Sequence, residues 1–84
     1  MLRYLVITKR NPEFKPTVVE AHYAFLDQLR RQGILEMSGP FTDKSGGAYI
    51  LKVENLEAAK AIAFADPLHT TQSSFITVHE WNAK

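Results

Sequence analysis

The sequence predicts an α+β domain of the ferredoxin-like kind, with chain order β-α-β-β-α-β, a four-stranded antiparallel sheet and two helices on one face. Three observations predict it. Apolar residues recur at helical spacing between Val18 and Leu29. Two later segments, Ala48 to Glu54 and Phe75 to Trp81, alternate as strands with unlike faces do. Between them lies an alanine-rich stretch led by Asn55, which reads as a second helix. Residues 1–84 are expected to be one domain, since so short a chain has no room for two.

From Leu2 to Thr8 a first strand is expected, and Tyr4-Leu5-Val6-Ile7 is apolar on both parities, which suits a strand covered on both faces. The polar segment Lys9 to Lys15, with Pro12, reads as a loop, and Pro16 suits the first residue of a helix. That helix runs to about Gln32. Val18, Val19, His22, Phe25, Leu26 and Leu29 share its apolar side, and Gly33 supplies a left-handed cap. Ile34 to Ser38 is the second strand, ended by Gly39-Pro40 because proline cannot donate to a ladder. Thr42 to Gly47 is dense in turn formers and reads as the hairpin loop. In the third strand Tyr49, Leu51 and Val53 share one face, and Ala48, Ile50, Lys52 and Glu54 the other. Asn55 caps a helix from Leu56 to about Ala65, which stops before Asp66-Pro67. In the last strand Phe75, Thr77, His79 and Trp81 share one parity. With both helices on one face, the other apolar face is left open. A homodimer packed sheet to sheet is therefore expected.

Composition excludes several classes of function. Ten Lys and Arg against nine Asp and Glu give a net charge of +1, too balanced for a protein that binds the nucleic-acid backbone. The chain has no Cys, which removes disulfides, thiolate catalysis and cysteine-ligated metal sites. No apolar run is long enough to span a membrane, and Met1-Leu2-Arg3 does not open a signal peptide, so a cytoplasmic protein is expected. His22, His69 and His79 lack metal-ligand spacing. Gly46-Gly47 lacks the lysine and the strand-to-helix context of a phosphate loop. No metal site is expected from these residues.

Two residues attract attention as chemistry. His22 lies inside the apolar stripe, either as a core histidine bonded to backbone or as a base facing a pocket. Asp66 stands where the second helix ends, a place that disfavours a carboxylate. It either opens a turn with Pro67 or meets His22 across the shared sheet face and orients it, the base-plus-orienter arrangement of proton transfer. Ser38, Gly39 and Pro40 end a strand. Gly39 permits close backbone approach, or its amide donates to a developing oxyanion near a pocket. Tyr4 is a strand aromatic, read as core, as dimer surface or as pocket wall. Lys9, Arg10, Lys15 and the Arg30-Arg31 pair read as solvated charges, and the near-neutral balance lends no support to steering of an anion.

Four segments together resemble the YCII-related (YciI-like) family: Ala21-His22 followed by Tyr23 to Leu26; Ser38-Gly39-Pro40-Phe41 with Asp43 and Gly46-Gly47; Glu54 to Ala59; and Ala65-Asp66-Pro67. They span nearly the whole chain in the right order. The resemblance implies a ferredoxin-like dimer forming a dimeric α+β barrel, with a site between helix and sheet. It implies that the family's paired His and Asp fall on His22 and Asp66, with no metal or organic cofactor. One group resembling this chain acts as dehydrochlorinases on chlorinated hydroxyquinols, and relatives with the same barrel include muconolactone isomerases. After Asp66-Pro67 the family usually has an aromatic residue and then a stretch ending in Ala-Gly. Here Leu68 to Ser73 follows, so the pocket wall is expected to differ.

Two functions fit these residues. In the first, a homodimer performs cofactor-independent lyase or isomerase chemistry on a small organic substrate, cyclic or chlorinated, with His22 as base or acid and Asp66 orienting it. In the second, the same dimer binds a small metabolite without turning it over, with His22 and Asp66 as a polar anchor. Neither involves nucleic acid or a membrane.

Overall fold

The computed structural model describes residues 2–84. Its strands are β1 (Leu2–Arg10), β2 (Leu35–Pro40), β3 (Gly46–Leu51) and β4 (Ser74–Asn82). All pair antiparallel, in the order β2-β3-β1-β4. Helices α1 (Val18–Arg31) and α2 (Leu56–Ala63) occupy the predicted places, and a single-turn helix, α3 (Pro67–Thr70), is added before β4. The ferredoxin-like prediction holds.

Local signals account for the helix ends. Gly33 adopts φ 75°, and the amides of Gly33 and Ile34 donate to the carbonyls of Arg30 and Leu29, the paired bonds that close a helix in a left-handed glycine. The side chain of Asn55 accepts the Ala58 amide at 2.8 Å. Pro16 falls one residue before the Thr17 cap, not inside α1; the chain turns there through Val19 N–H to Pro16 O.

The hairpin between β2 and β3 differs from expectation. Lys44, at φ 65°, takes its left-handed position, and both glycines enter β3. The reason is crowding. A Cβ on Gly46 would lie 1.8 Å from the Thr8 carbonyl oxygen, and one on Gly47 would lie 2.7 Å from the Gly39 carbonyl oxygen. Only glycine lets β1, β3 and β2 come this close. Pro40 ends β2 on an outer strand, where its missing N–H costs no ladder bond.

The helix-facing side of the sheet carries Tyr4 and Val6 of β1 with Tyr49 and Leu51 of β3. Leu26 and Leu29 of α1 and Ala59 and Ala63 of α2 pack on them to form the core. At the end of the sheet bearing Thr8 and Gly47 the helices leave a space, and there the candidate site lies. The opposite face has no covering element among the described residues. Phe75 and Trp81 are 60 % and 44 % exposed, and Met37 is 61 % exposed on the outer strand. Leu5, Ile7 and Ile50 lie half-buried between them.

Candidate active site

Helical spacing on α1 turns His22 toward the sheet. It lies one turn before Leu26, which is anchored in the core, and its side chain is 14 % exposed. Asp66 enters from the other direction. The chain leaves α2, and Pro67 starts α3 with its ring at the first helical position, where a missing N–H is harmless. Asp66 therefore caps the start of a helix and is not stranded at the end of one. The expectation of a disfavoured carboxylate is corrected accordingly. Its Oδ1 accepts the Leu68 amide at 2.9 Å.

The two side chains meet: His22 Nδ1 lies 2.9 Å from Asp66 Oδ1. A third group completes the arrangement. The Tyr49 hydroxyl donates to Asp66 Oδ2 at 2.9 Å, from the buried face of β3. Asp66 is fully buried, yet both its oxygens are occupied by donors from α1, β3 and α3. Burial first, and then the charge and hydrogen bond of Asp66, push the Tyr49 phenol far up, so its hydroxyl stays protonated and keeps donating. With Nδ1–H donated to a carboxylate that can only accept, neutral His22 carries its lone pair on Nε2.

Tyr49 was not singled out in the sequence. Its signal was present: a tyrosine whose parity it shares with Leu51 must find a partner for its hydroxyl if that face is buried.

His22 lines a cavity of about 440 Å³ between α1 and the sheet end. Ser38, Gly39 and Pro40 line it from β2 and Leu68 from α3. Thr8 lines it from β1, its hydroxyl accepting the Gly47 amide at 3.0 Å. Tyr4, expected as pocket wall, does not reach it. It lies four steps along the strand from Thr8, about 13 Å at 3.3 Å per residue. It sits instead in the core at 1 % exposure, its hydroxyl 3.4 Å from Glu80 Oε1. Of the atypical segment Leu68 to Ser73, only Leu68 touches this cavity. His69 is exposed, packed on Phe64 with ring centroids 4.8 Å apart, and borders a separate cavity. Among the described residues, no three His, Cys, Asp or Glu side chains converge to hold a metal ion.

The family model of the YCII-related domain matches residues 2–82. The uncharacterized protein YjpA of Bacillus subtilis (strain 168) is 44 % identical over 84 residues, covering 100 % of this chain and 99 % of that one. In structure the chain is similar to 5-chloro-2-hydroxyhydroquinone dehydrochlorinase (TftG) from Burkholderia phenoliruptrix AC1100, solved in complex with 2,5-dihydroxybenzoquinone. The TM-score is 0.76 at 21 % identity, over 100 % of this chain and 96 % of that one. An antibiotic biosynthesis monooxygenase is similar at TM-score 0.66 and 15 % identity, over 100 % and 99 % of the two chains. At such identities the two structures speak for the fold.

Proposed function

The chain belongs to the YCII-related family, and from that premise we propose that it is a cofactor-independent enzyme acting on a small organic, cyclic or chlorinated, substrate by proton transfer. One observation carries the reading: His22, with Nδ1 against a buried carboxylate, lines a cavity large enough for a single ring compound. In the reaction, His22 Nε2 removes a proton next to an electron-withdrawing group. The freed electron pair then expels a leaving group from the neighbouring position, or the proton returns elsewhere on the substrate. For a chlorinated substrate the proton and chloride depart together as HCl, with no net change in electrons. Asp66 holds the ring in place and offsets the positive charge that His22 acquires. Tyr49 and the Leu68 amide hold Asp66.

The protein works as a homodimer in the cytoplasm on this reading. Phe75, Trp81, Met37, Ile7 and Leu5 make one open apolar face, the kind of surface that a second copy covers. Sedimentation is expected to give twice the chain mass for the wild type and a smaller species for Phe75→Glu. A wild-type monomer would overturn the dimer.

The functional reading is tested with 5-chloro-2-hydroxyhydroquinone, the compound named for TftG. Chloride release above the uncatalysed rate is expected. In parallel, 2,5-dihydroxybenzoquinone is expected to perturb the ring signals of His22 in NMR. Ligand perturbation without turnover of this or related chlorinated rings would favour a binding module, in which His22 and Asp66 are only a polar anchor.

A further inference from the structure

Arg10 and Arg30, which read in the sequence as solvated charges, both line the His22 cavity. Arg10 reaches it from β1 and Arg30 from α1. Arg10 extends the helix-facing series Tyr4, Val6 and Thr8 of β1 by one more step. Its amide donates to the Ser45 carbonyl at 2.9 Å, and its guanidinium lies 4.3 Å from the centre of the Phe14 ring. The side chain is thus shelved on an aromatic face that also lines the cavity. Among the described residues no carboxylate pairs with it. Arg30 stands in the last turn of α1 and donates to Asp27 Oδ1 at 3.0 Å and to Ser38 Oγ at 3.4 Å.

The charges around the cavity do not balance. Asp27 is the one carboxylate among its lining residues, and it is engaged by Arg30 and, at 3.8 Å, by Arg31. Asp66 is shielded behind His22 with both oxygens occupied. Arg10 remains a planar fork of donors on the cavity that His22 also lines, with no carboxylate paired to it among the described residues. We infer that the cavity takes a small organic anion, whose delocalised oxygens seat against Arg10 with Arg30 completing the positive wall. The inference rests on the proposed proton transfer and deepens it. Withdrawing a proton from such a substrate adds charge to oxygens already facing a guanidinium, which makes Arg10 a specificity-determining residue.

The test uses benzoate and benzamide, which share a ring and differ in charge, and follows binding through NMR shifts of His22 and Leu68. Benzoate is expected to bind, and benzamide to bind more weakly. Arg10→Gln is expected to weaken benzoate about tenfold, the effect of one hydrogen bond to a charged group, and to leave benzamide unchanged. Arg10→Lys should restore part of the preference, since it keeps the charge and loses the fork. Phe14→Leu should weaken benzoate about two- to fivefold by removing the shelf. No binding of benzoate, equal binding of the two probes, or an Arg10→Gln protein that binds benzoate like the wild type would each overturn the assignment. None of these outcomes bears on chloride release by His22, so the two readings fail separately.

Discussion

His22→Ala is expected to slow chloride release from 5-chloro-2-hydroxyhydroquinone about 10²- to 10⁴-fold, the usual contribution of a positioned acid–base group. Nδ1 is committed to Asp66 at 2.9 Å, so Nε2 is the ring nitrogen left to act on a molecule in the cavity that His22 lines. Folding should survive, because the ring is partly solvated and Asp66 keeps two of its three donors, from Tyr49 and Leu68. Truncation also enlarges the cavity by the volume of an imidazole, so added imidazole should recover part of the rate. Recovery separates a lost base from a damaged fold. A His22→Ala protein as fast as the wild type would remove the proposed base altogether.

The second large effect concerns stability. Asp66→Ala removes one acceptor group and orphans the Tyr49 hydroxyl, the Leu68 amide and the His22 Nδ1–H together. Each unsatisfied buried donor costs about 1–3 kcal/mol, so a loss of about 3–5 kcal/mol is expected, at the low end because water can enter the space left behind. For a chain of 84 residues that is a large part of the whole, as domains of this size are stable by about 4–13 kcal/mol. Chemical denaturation measures it directly. Asp66→Asn divides the two roles. Its carbonyl oxygen can keep the Leu68 amide and the His22 ring in place while the Tyr49 hydroxyl turns to accept from the new amide. Stability should then change much less than in Asp66→Ala. Turnover should still fall about ten- to hundredfold, because a hydrogen bond between charged partners has become one to a neutral group. Equal stability of Asp66→Ala and wild type would show that the carboxylate does not tie α1, β3 and α3 together.

Much of this was legible in the amino-acid sequence. Apolar residues on both parities of Tyr4 to Ile7 marked a central strand, of which the structure covers the helix-facing side, and Gly33 and Asn55 marked helix ends with the bonds now seen. Local rules suffice where one residue's backbone preference or one face's polarity decides the outcome. They fail where the deciding partner is distant in the chain. Asp66 read as the tail of α2, because the turn it caps is only four residues long and has too few apolar positions to register as a helix. Gly46 and Gly47 read as loop, because the Thr8 and Gly39 carbonyls that crowd them come from other strands. Tyr4 and Arg10 share a parity on β1, and only the position of the cavity along that strand decides which of them borders it. Alternation groups Tyr49 with Leu51 on one face, but the partner of its hydroxyl lies 17 residues further along.

The cap that holds Asp66 has a consequence for how this chain can change. The carboxylate grips the backbone amide of residue 68, not its side chain, while that side chain alone carries α3 into the cavity wall. Any residue with an N–H serves the grip. Recognition and reactivity therefore rest on different atoms of one residue. A lineage could remodel what the cavity accepts by replacing Leu68, and the imidazole and its carboxylate would stay where they are.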